Sequence, residues 1–359
     1  MNLNKNLEGL EPYPLVSHEA WRLDNKDQVL KLDWNEATIP PSPTVVLEVS
    51  NFILKGNLNW YPNVENNELI CELAKYSEVP ADYVDYFASS DALHEYIART
   101  FVNENDVCII CSPTYDNFRV PIQSAGASVI YEWSFNQGDV TELNDILSKL
   151  SPRLVYICNP NNPTGGFTPI QQIETIVQLN PETLFVIDEA YYEFVGSSAS
   201  TLCTKYSNII ISRTFSKAFA LASFRIGYAI ASPKLRNNIR TVRNAKSISA
   251  LSQVAAIAAL KSKDYTAKYV SEVIQARDTF INSLNSIGLV AYPSNANFVL
   301  VECRSELQKE HIISFLRKNR IFVRNFPSIH GNKNLFRITI GTQSQMALVF
   351  HKLRDALDS

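Results

Sequence analysis

No apolar run in this chain approaches the ~18 residues that a membrane-spanning helix requires, and the opening MNLNKNLEGLEPYPLVSHEAW holds no apolar stretch of signal-peptide length. A cytoplasmic protein with no membrane contact is expected. Charge of one sign is not in excess either. Thirty-three Lys and Arg stand against 36 Asp and Glu, a formal net charge of −3, which removes any general electrostatic reason to bind nucleic acid. Cysteine is sparse: six residues are scattered over the chain, and Cys108 and Cys111 form a C-x-x-C with no second pair to complete a zinc site. That pair lies in the apolar run Val107–Cys111, where residues three apart on a strand point to opposite faces, so buried free thiols are expected. His94 and His330 have no partner at metal-ligand spacing and read as structural or surface residues; no metal is expected. Gly227 has no G-x-G-x-x-G around it, which excludes a dinucleotide fingerprint, and no internal repeat or low-complexity tract is present.

What is there is ample core. The 359 residues are 46% hydrophobic, 11% aromatic and 19% charged, enough for two lobes or one large domain with an appendage. Short apolar runs recur at Val84–Phe87, Val107–Cys111, Ser128–Tyr131, Leu154–Cys158, Leu184–Ile187, Asn208–Ser212 and Gly227–Ile230. Helix-length amphipathic segments separate most of them, such as the i, i+3, i+4 pattern of Leu93, Tyr96, Ile97, Thr100 and Phe101. Alternating strands and helices predict an α/β fold with a mostly parallel sheet covered on both faces. From about Ala250 two long helices, Ala250–Ser262 and Tyr265–Ile287, lead into a smaller α+β region. There, strands at Asn297–Glu302, Ile321–Arg324 and Phe336–Ile340 flank a helix at Glu306–Lys318, before a last helix from Gln343. The expected division is an N-terminal arm (1–45) packing on the small domain through a strand at Val29–Asp33, a large domain (46–262) and a small domain (263–359).

In open parallel sheets ligands sit beyond the carboxyl ends of the strands, so the polar residues that follow each run matter most. Leu154–Cys158 is followed by Asn159-Pro160-Asn161-Asn162-Pro163-Thr164-Gly165, a turn that presents amides. Leu184–Ile187 is followed by Asp188-Glu189-Ala190-Tyr191, an acid that needs a cation or several donors. Asn208–Ser212 is followed by Arg213-Thr214-Phe215-Ser216-Lys217, with Arg225 eight residues further on. A carboxylate, an amine and a hydroxyl-rich turn with an arginine match the three handles of pyridoxal phosphate: a pyridinium nitrogen, an aldehyde and a phosphate. Lys217 would join the aldehyde as a neutral amine, Asp188 would hold the ring nitrogen protonated, Tyr191 and Asn162 would meet the ring oxygen, and Thr214, Ser216 and Arg225 would take the phosphate.

Asn-Pro-Asn-Asn-Pro-Thr-Gly at 159–165, Asp-Glu-Ala-Tyr at 188–191 and Arg-Thr-Phe-Ser-Lys-Ala-Phe-Ala-Leu-Ala-Ser-Phe-Arg-Ile-Gly-Tyr at 213–228 resemble the fold-type I aminotransferases, most of all the histidinol-phosphate aminotransferase group. Asp33-Trp34-Asn35-Glu36, Trp60-Tyr61-Pro62-Asn63, Pro113-Thr114-Tyr115 and Phe336-Arg337-Ile338-Thr339-Ile340-Gly341-Thr342 extend the likeness through nearly the whole chain. The resemblance implies that Lys217 also shuttles the proton between the substrate Cα and the cofactor, that Tyr115 stacks on the ring, and that Ser90 and Asp91 open a helix at the phosphate. It implies that Arg337 pairs with a substrate carboxylate, that Arg324 helps bind a substrate phosphate, and that Tyr61 reaches the phosphate of a second subunit in a homodimer. Tyr13, in the arm, is a candidate pocket residue. Relatives usually carry glycine in the phosphate loop, which here reads Ala88-Ser89-Ser90-Asp91-Ala92, and Pro12-Tyr13-Pro14-Leu15 lacks their Pro-Gly-Lys-like continuation. The reaction expected is transfer of an amino group between a histidinol-phosphate-like donor and a keto acid such as 2-oxoglutarate. A decarboxylase of a phosphorylated amino acid, on the same fold, and a non-catalytic ligand-sensing module are the alternatives.

Overall fold

A computed structural model describes residues 3–13, 19–133 and 140–359. Twelve strands form among them: β1 (Leu30–Leu32), β2 (Val84–Phe87), β3 (Val107–Cys111), β4 (Ser128–Glu132), β5 (Leu154–Cys158), β6 (Leu184–Asp188), β7 (Ile209–Thr214), β8 (Gly227–Ala231), β9 (Val290–Ala291), β10 (Phe298–Glu302), β11 (Ile321–Asn325) and β12 (Leu335–Thr339). They make a seven-stranded sheet of order β2-β8-β7-β6-β5-β3-β4 and a five-stranded sheet of order β1-β11-β12-β10-β9. In the larger sheet β3 to β7 are parallel; β8 runs against both β7 and β2. The α/β architecture expected from the alternating pattern is therefore present.

The central runs are buried on both faces because helices cover both sides of the sheet, whereas the edge strand β4 leaves Ile130 exposed. Ile109, Cys111, Val155, Ile157, Phe185, Ile187, Ile209 and Ile211 pack into one core. Cys108, Ile110, Leu154, Tyr156, Val186 and Ile210 point the other way into a second, so Cys108 and Cys111 do lie on opposite faces. That second core continues into the small sheet through Phe298, Ile312, Leu316 and Phe336, and the helix Lys263–Ser286 adds Tyr269, Val273 and Phe280 to it. Ser42 and Thr342 cap helices that start at Pro43 and Gln343, the latter in a reciprocal capping box with Gln345.

The N-terminal segment ties both sheets together. Arg119 donates to the carbonyl of Glu11, while β1 pairs in parallel with β11, Leu30 to Leu32 against Ile321 to Val323. The strand expected at Val29–Asp33 is thus an edge strand of the small sheet. No helix among the described residues is long and apolar enough to cross a membrane.

Candidate active site

The carboxyl ends of β2, β3, β5, β6 and β7 share one edge of the large sheet, and the reversed β8 begins at that same edge. This is why Arg225, two residues before β8, arrives beside groups that follow strands of the opposite direction. Gly227 makes the approach possible: a Cβ there would stand 2.8 Å from the Ser90 amide nitrogen and 2.7 Å from the Arg213 carbonyl. Asp91, in the first turn of the helix Ser90–Phe101, accepts from the Tyr115 hydroxyl at 3.1 Å and from Arg225 at 3.3 Å. Ser89 caps that helix, its hydroxyl accepting from Ala92 and its carbonyl from Leu93. Among the described residues, the amides of Ser90 and Asp91 are left without an acceptor, aimed where an anion is favoured. Thr214 and Ser216 bond each other at 2.9 Å nearby in sequence.

Asp188 ends β6 and is 3% exposed. Its carboxylate accepts from the Tyr156 hydroxyl at 2.7 Å and the Ala190 amide at 3.1 Å, with His94 Nε2 at 3.8 Å. Burial raises its pKa above the ordinary value, while His94 and the Tyr156 hydrogen bond oppose that rise. His94 is therefore no surface residue: it is 2% exposed, shares a hydrogen bond with Ser212 at 3.1 Å and meets the rings of Phe118 and Tyr156 edge-on. Parity along β5 and β6 puts Tyr156 and Asp188 on one face, and His94 follows Asp91 by three residues on its helix. Those two spacings were the available signals for residues the motifs passed over.

Lys217 donates to the main-chain carbonyl of Trp34 at 2.8 Å, its one hydrogen bond among the described residues. Burial lowers its pKa to about 8; Glu36 opposes the shift and Arg337 adds to it. Asn35, a further residue the motif reading did not assign, donates to the Tyr191 hydroxyl at 3.0 Å, and Lys217 Nζ is 5.8 Å from the Tyr191 ring centroid.

On the small sheet, Arg337 of β12 is 6% exposed and donates to the side-chain oxygen of Asn162 and, at 2.8 Å, to the carbonyl of Asp33. Burial lowers its pKa to about 10. Arg324 lies directly opposite it on β11. Tyr13 rests against Tyr115, ring centroids 5.5 Å apart, and its pKa, raised by burial, is drawn back down by Arg324 and Arg337. Tyr61 is the expected residue that this chain does not bring in: it is 79% exposed, with Lys246 4.7 Å from its ring.

Pyridoxal phosphate fits this donor set. A buried carboxylate, a half-buried amine of lowered pKa without a carboxylate on it, and two open helix amides beside an arginine offer complementary partners to its ring nitrogen, aldehyde and phosphate.

Comparison with known proteins agrees with that chemistry. Residues 27–353 match the family model for aminotransferase class I and II, and the chain belongs to that family. It is an aminotransferase of the kind that works with pyridoxal phosphate, on the fold-type I scaffold. It is 43% identical to the dihydroxyacetone phosphate transaminase of Campylobacter jejuni, over 99% of this chain and 97% of that one. It is 32% identical to a histidinol-phosphate aminotransferase of Ruminiclostridium cellulolyticum, over 90% and 91%. Among solved structures, the histidinol-phosphate aminotransferase of Sinorhizobium meliloti in complex with pyridoxal 5′-phosphate superposes with a TM-score of 0.90 at 26% identity, covering 99% of this chain and 97% of that one.

Proposed function

We propose that the enzyme moves an amino group between a donor such as glutamate, which becomes 2-oxoglutarate, and a small phosphorylated ketone of the dihydroxyacetone phosphate kind. The observation that carries this reading is the pair Arg324 and Arg337, opposite each other on β11 and β12 with neutral oxygens on one and no hydrogen-bonded acceptor on the other among the described residues. Two uncompensated guanidinium groups suit a dianion better than a single carboxylate. The 43% identity to the dihydroxyacetone phosphate transaminase supports a three-carbon substrate over histidinol phosphate, and the Tyr13–Tyr115 contact supports a short pocket.

When bound, the cofactor supplies an electron sink for the pair of electrons left at the substrate Cα. Lys217 would hold it and, once displaced by the incoming substrate amine, would carry the Cα proton, a task for an amine whose pKa burial has lowered to about 8. Asp188, braced by Tyr156, would keep the ring nitrogen protonated; the Asn162 amide and the Tyr191 hydroxyl, which Asn35 orients, would donate to the ring oxygen, and Tyr115 would cover the ring. Ser90, Asp91, Thr214, Ser216 and Arg225 would hold the phosphate. Tyr61 would complete the cradle of a second subunit. In support of a homodimer, Val46, Leu47, Ile53, Leu54, Leu58 and Trp60 leave an apolar strip exposed beside it. Six free cysteines support a reducing, cytoplasmic setting, and the pairing of β1 with β11 supports an arm (1–45) belonging to a small domain (263–359) beside a large one (46–262).

The test loads the purified enzyme with an amino group from L-glutamate, removes the donor and follows the cofactor's absorbance as single acceptors are added. Dihydroxyacetone phosphate should restore the starting spectrum fastest. A faster return with imidazole acetol phosphate would replace this substrate by the histidinol-phosphate pair, and CO2 release from phosphothreonine without any acceptor would replace the reaction by decarboxylation.

A further inference from the structure

Arg324 and Arg337 face each other across two strands, an arrangement that destabilises a sheet when nothing offsets the like charges. Among the described residues Arg337 has only oxygens of Asn162 and Asp33 as acceptors, and its Nε is buried without one. What lies against both guanidinium groups is an aromatic ring. Phe326 has its centroid 5.5 Å from Arg324 and 5.8 Å from Arg337, and Phe298 is 5.1 Å from Arg337. A ring face offsets positive charge through its quadrupole, yet it is not an anion and cannot compete with substrate for the guanidinium N–H groups.

Phe326 is itself fastened. Lys309, on the helix Glu306–Lys318, has a side chain 1% exposed and donates to the Phe326 carbonyl at 2.9 Å. Burying an ammonium is costly, so such a bond is a firm anchor for the segment that it holds. Its neighbour Glu310 lies 3.4 Å from the Lys309 ammonium and accepts from the Asn325 amide at 2.9 Å. One helix thus grips the end of β11 at two successive residues, just beyond Arg324.

We infer that Phe326, anchored by Lys309, is a positioning residue that sets specificity for a dianionic over a monoanionic substrate, by holding Arg324 and Arg337 together without neutralising either. The inference rests on the phosphorylated-substrate reading above. Its test measures, on the holoenzyme at constant ionic strength, how strongly inorganic phosphate and acetate each inhibit the amino transfer from L-glutamate. Wild type should be inhibited far better by phosphate. Phe326→Leu should shrink the phosphate-to-acetate ratio by ~5-fold with the rate at saturating glutamate held, Phe326→Tyr should keep the ratio, and Lys309→Met should move it as Phe326→Leu does. A double variant should go no further than either single one. A ratio unchanged in Phe326→Leu, with wild type preferring phosphate, overturns this inference alone. No phosphate preference in wild type overturns the substrate reading and this inference with it. Should Phe326→Leu fail to fold, Lys309→Met decides by the same ratio.

Discussion

The two sheets bring opposite kinds of chemistry to one cleft. Groups at the edge of the large sheet are partnered with one another: Asp188 with Tyr156, Asp91 with Tyr115 and Arg225, Thr214 with Ser216. On the small sheet Arg324 and Arg337 have no counter-ion among the described residues, and aromatic rings and neutral oxygens surround them. A resident cofactor explains the first pattern, since a permanent ligand is served by a fixed, mutually braced frame. A transient anion explains the second, because a carboxylate built into the protein would have to be displaced at every turnover.

Removing the Lys217 amine should have the largest effect. Lys217→Ala should cost at least ~10³-fold in turnover, measured by amino transfer from glutamate, with the fold retained. In the wild-type apoenzyme the rate of cofactor uptake should rise with pH as Lys217 loses its proton and level off above about 8, and the variant should lose that profile. Retention of either behaviour would move the amine's role elsewhere. On the small sheet, Arg337→Lys keeps the charge and loses the planar fork, so kcat/KM should fall ~100-fold while the cofactor's absorbance stays unchanged. An equal loss of cofactor would show that the two edges are not separable.

The smallest effect belongs to the phosphate loop. Ser89 sits at φ 92° and ψ 165°, a region that only glycine enters freely. Ser89→Gly should raise the stability of the apoenzyme by ~1 kcal/mol, the lost hydroxyl cap returning only a few tenths. Thermal unfolding without cofactor checks it; a lower stability would mean that the cap outweighs the strain.

Most of this frame was legible because it is local. β2, β3 and β5 begin and end at the limits of their apolar runs. β7 goes on through Arg213 and Thr214, beyond its run, because the Arg213 charge is buried against Glu189 at 2.9 Å, Ser198 and Tyr228. No apolar pattern includes such a residue. β9 has only two residues, too few for any period to register. The motifs gave Lys217, Asp188, Asn162 and Arg337 as candidates, and the chain brings them to one cleft; Tyr156 and His94 needed the parity of two strands and one helical turn. Arg324 facing Arg337 depends on an antiparallel register set across the intervening loop, and the Asn35–Tyr191 bond joins segments remote in sequence. Neither is written in any single stretch of chain.

The reversed strand β8 also bears on how the chain reaches its final state. It separates β2 from β7, so until residues near 227 have been made and inserted, the facing edges of those two strands, at one side of the future sheet, stay unpaired. The Gly227 contact with the phosphate loop and the Arg225 pairing with Asp91 come into being with that insertion. A ligand that needs this contact would therefore be held by the finished sheet and not by its precursors, and would draw the population forward by mass action.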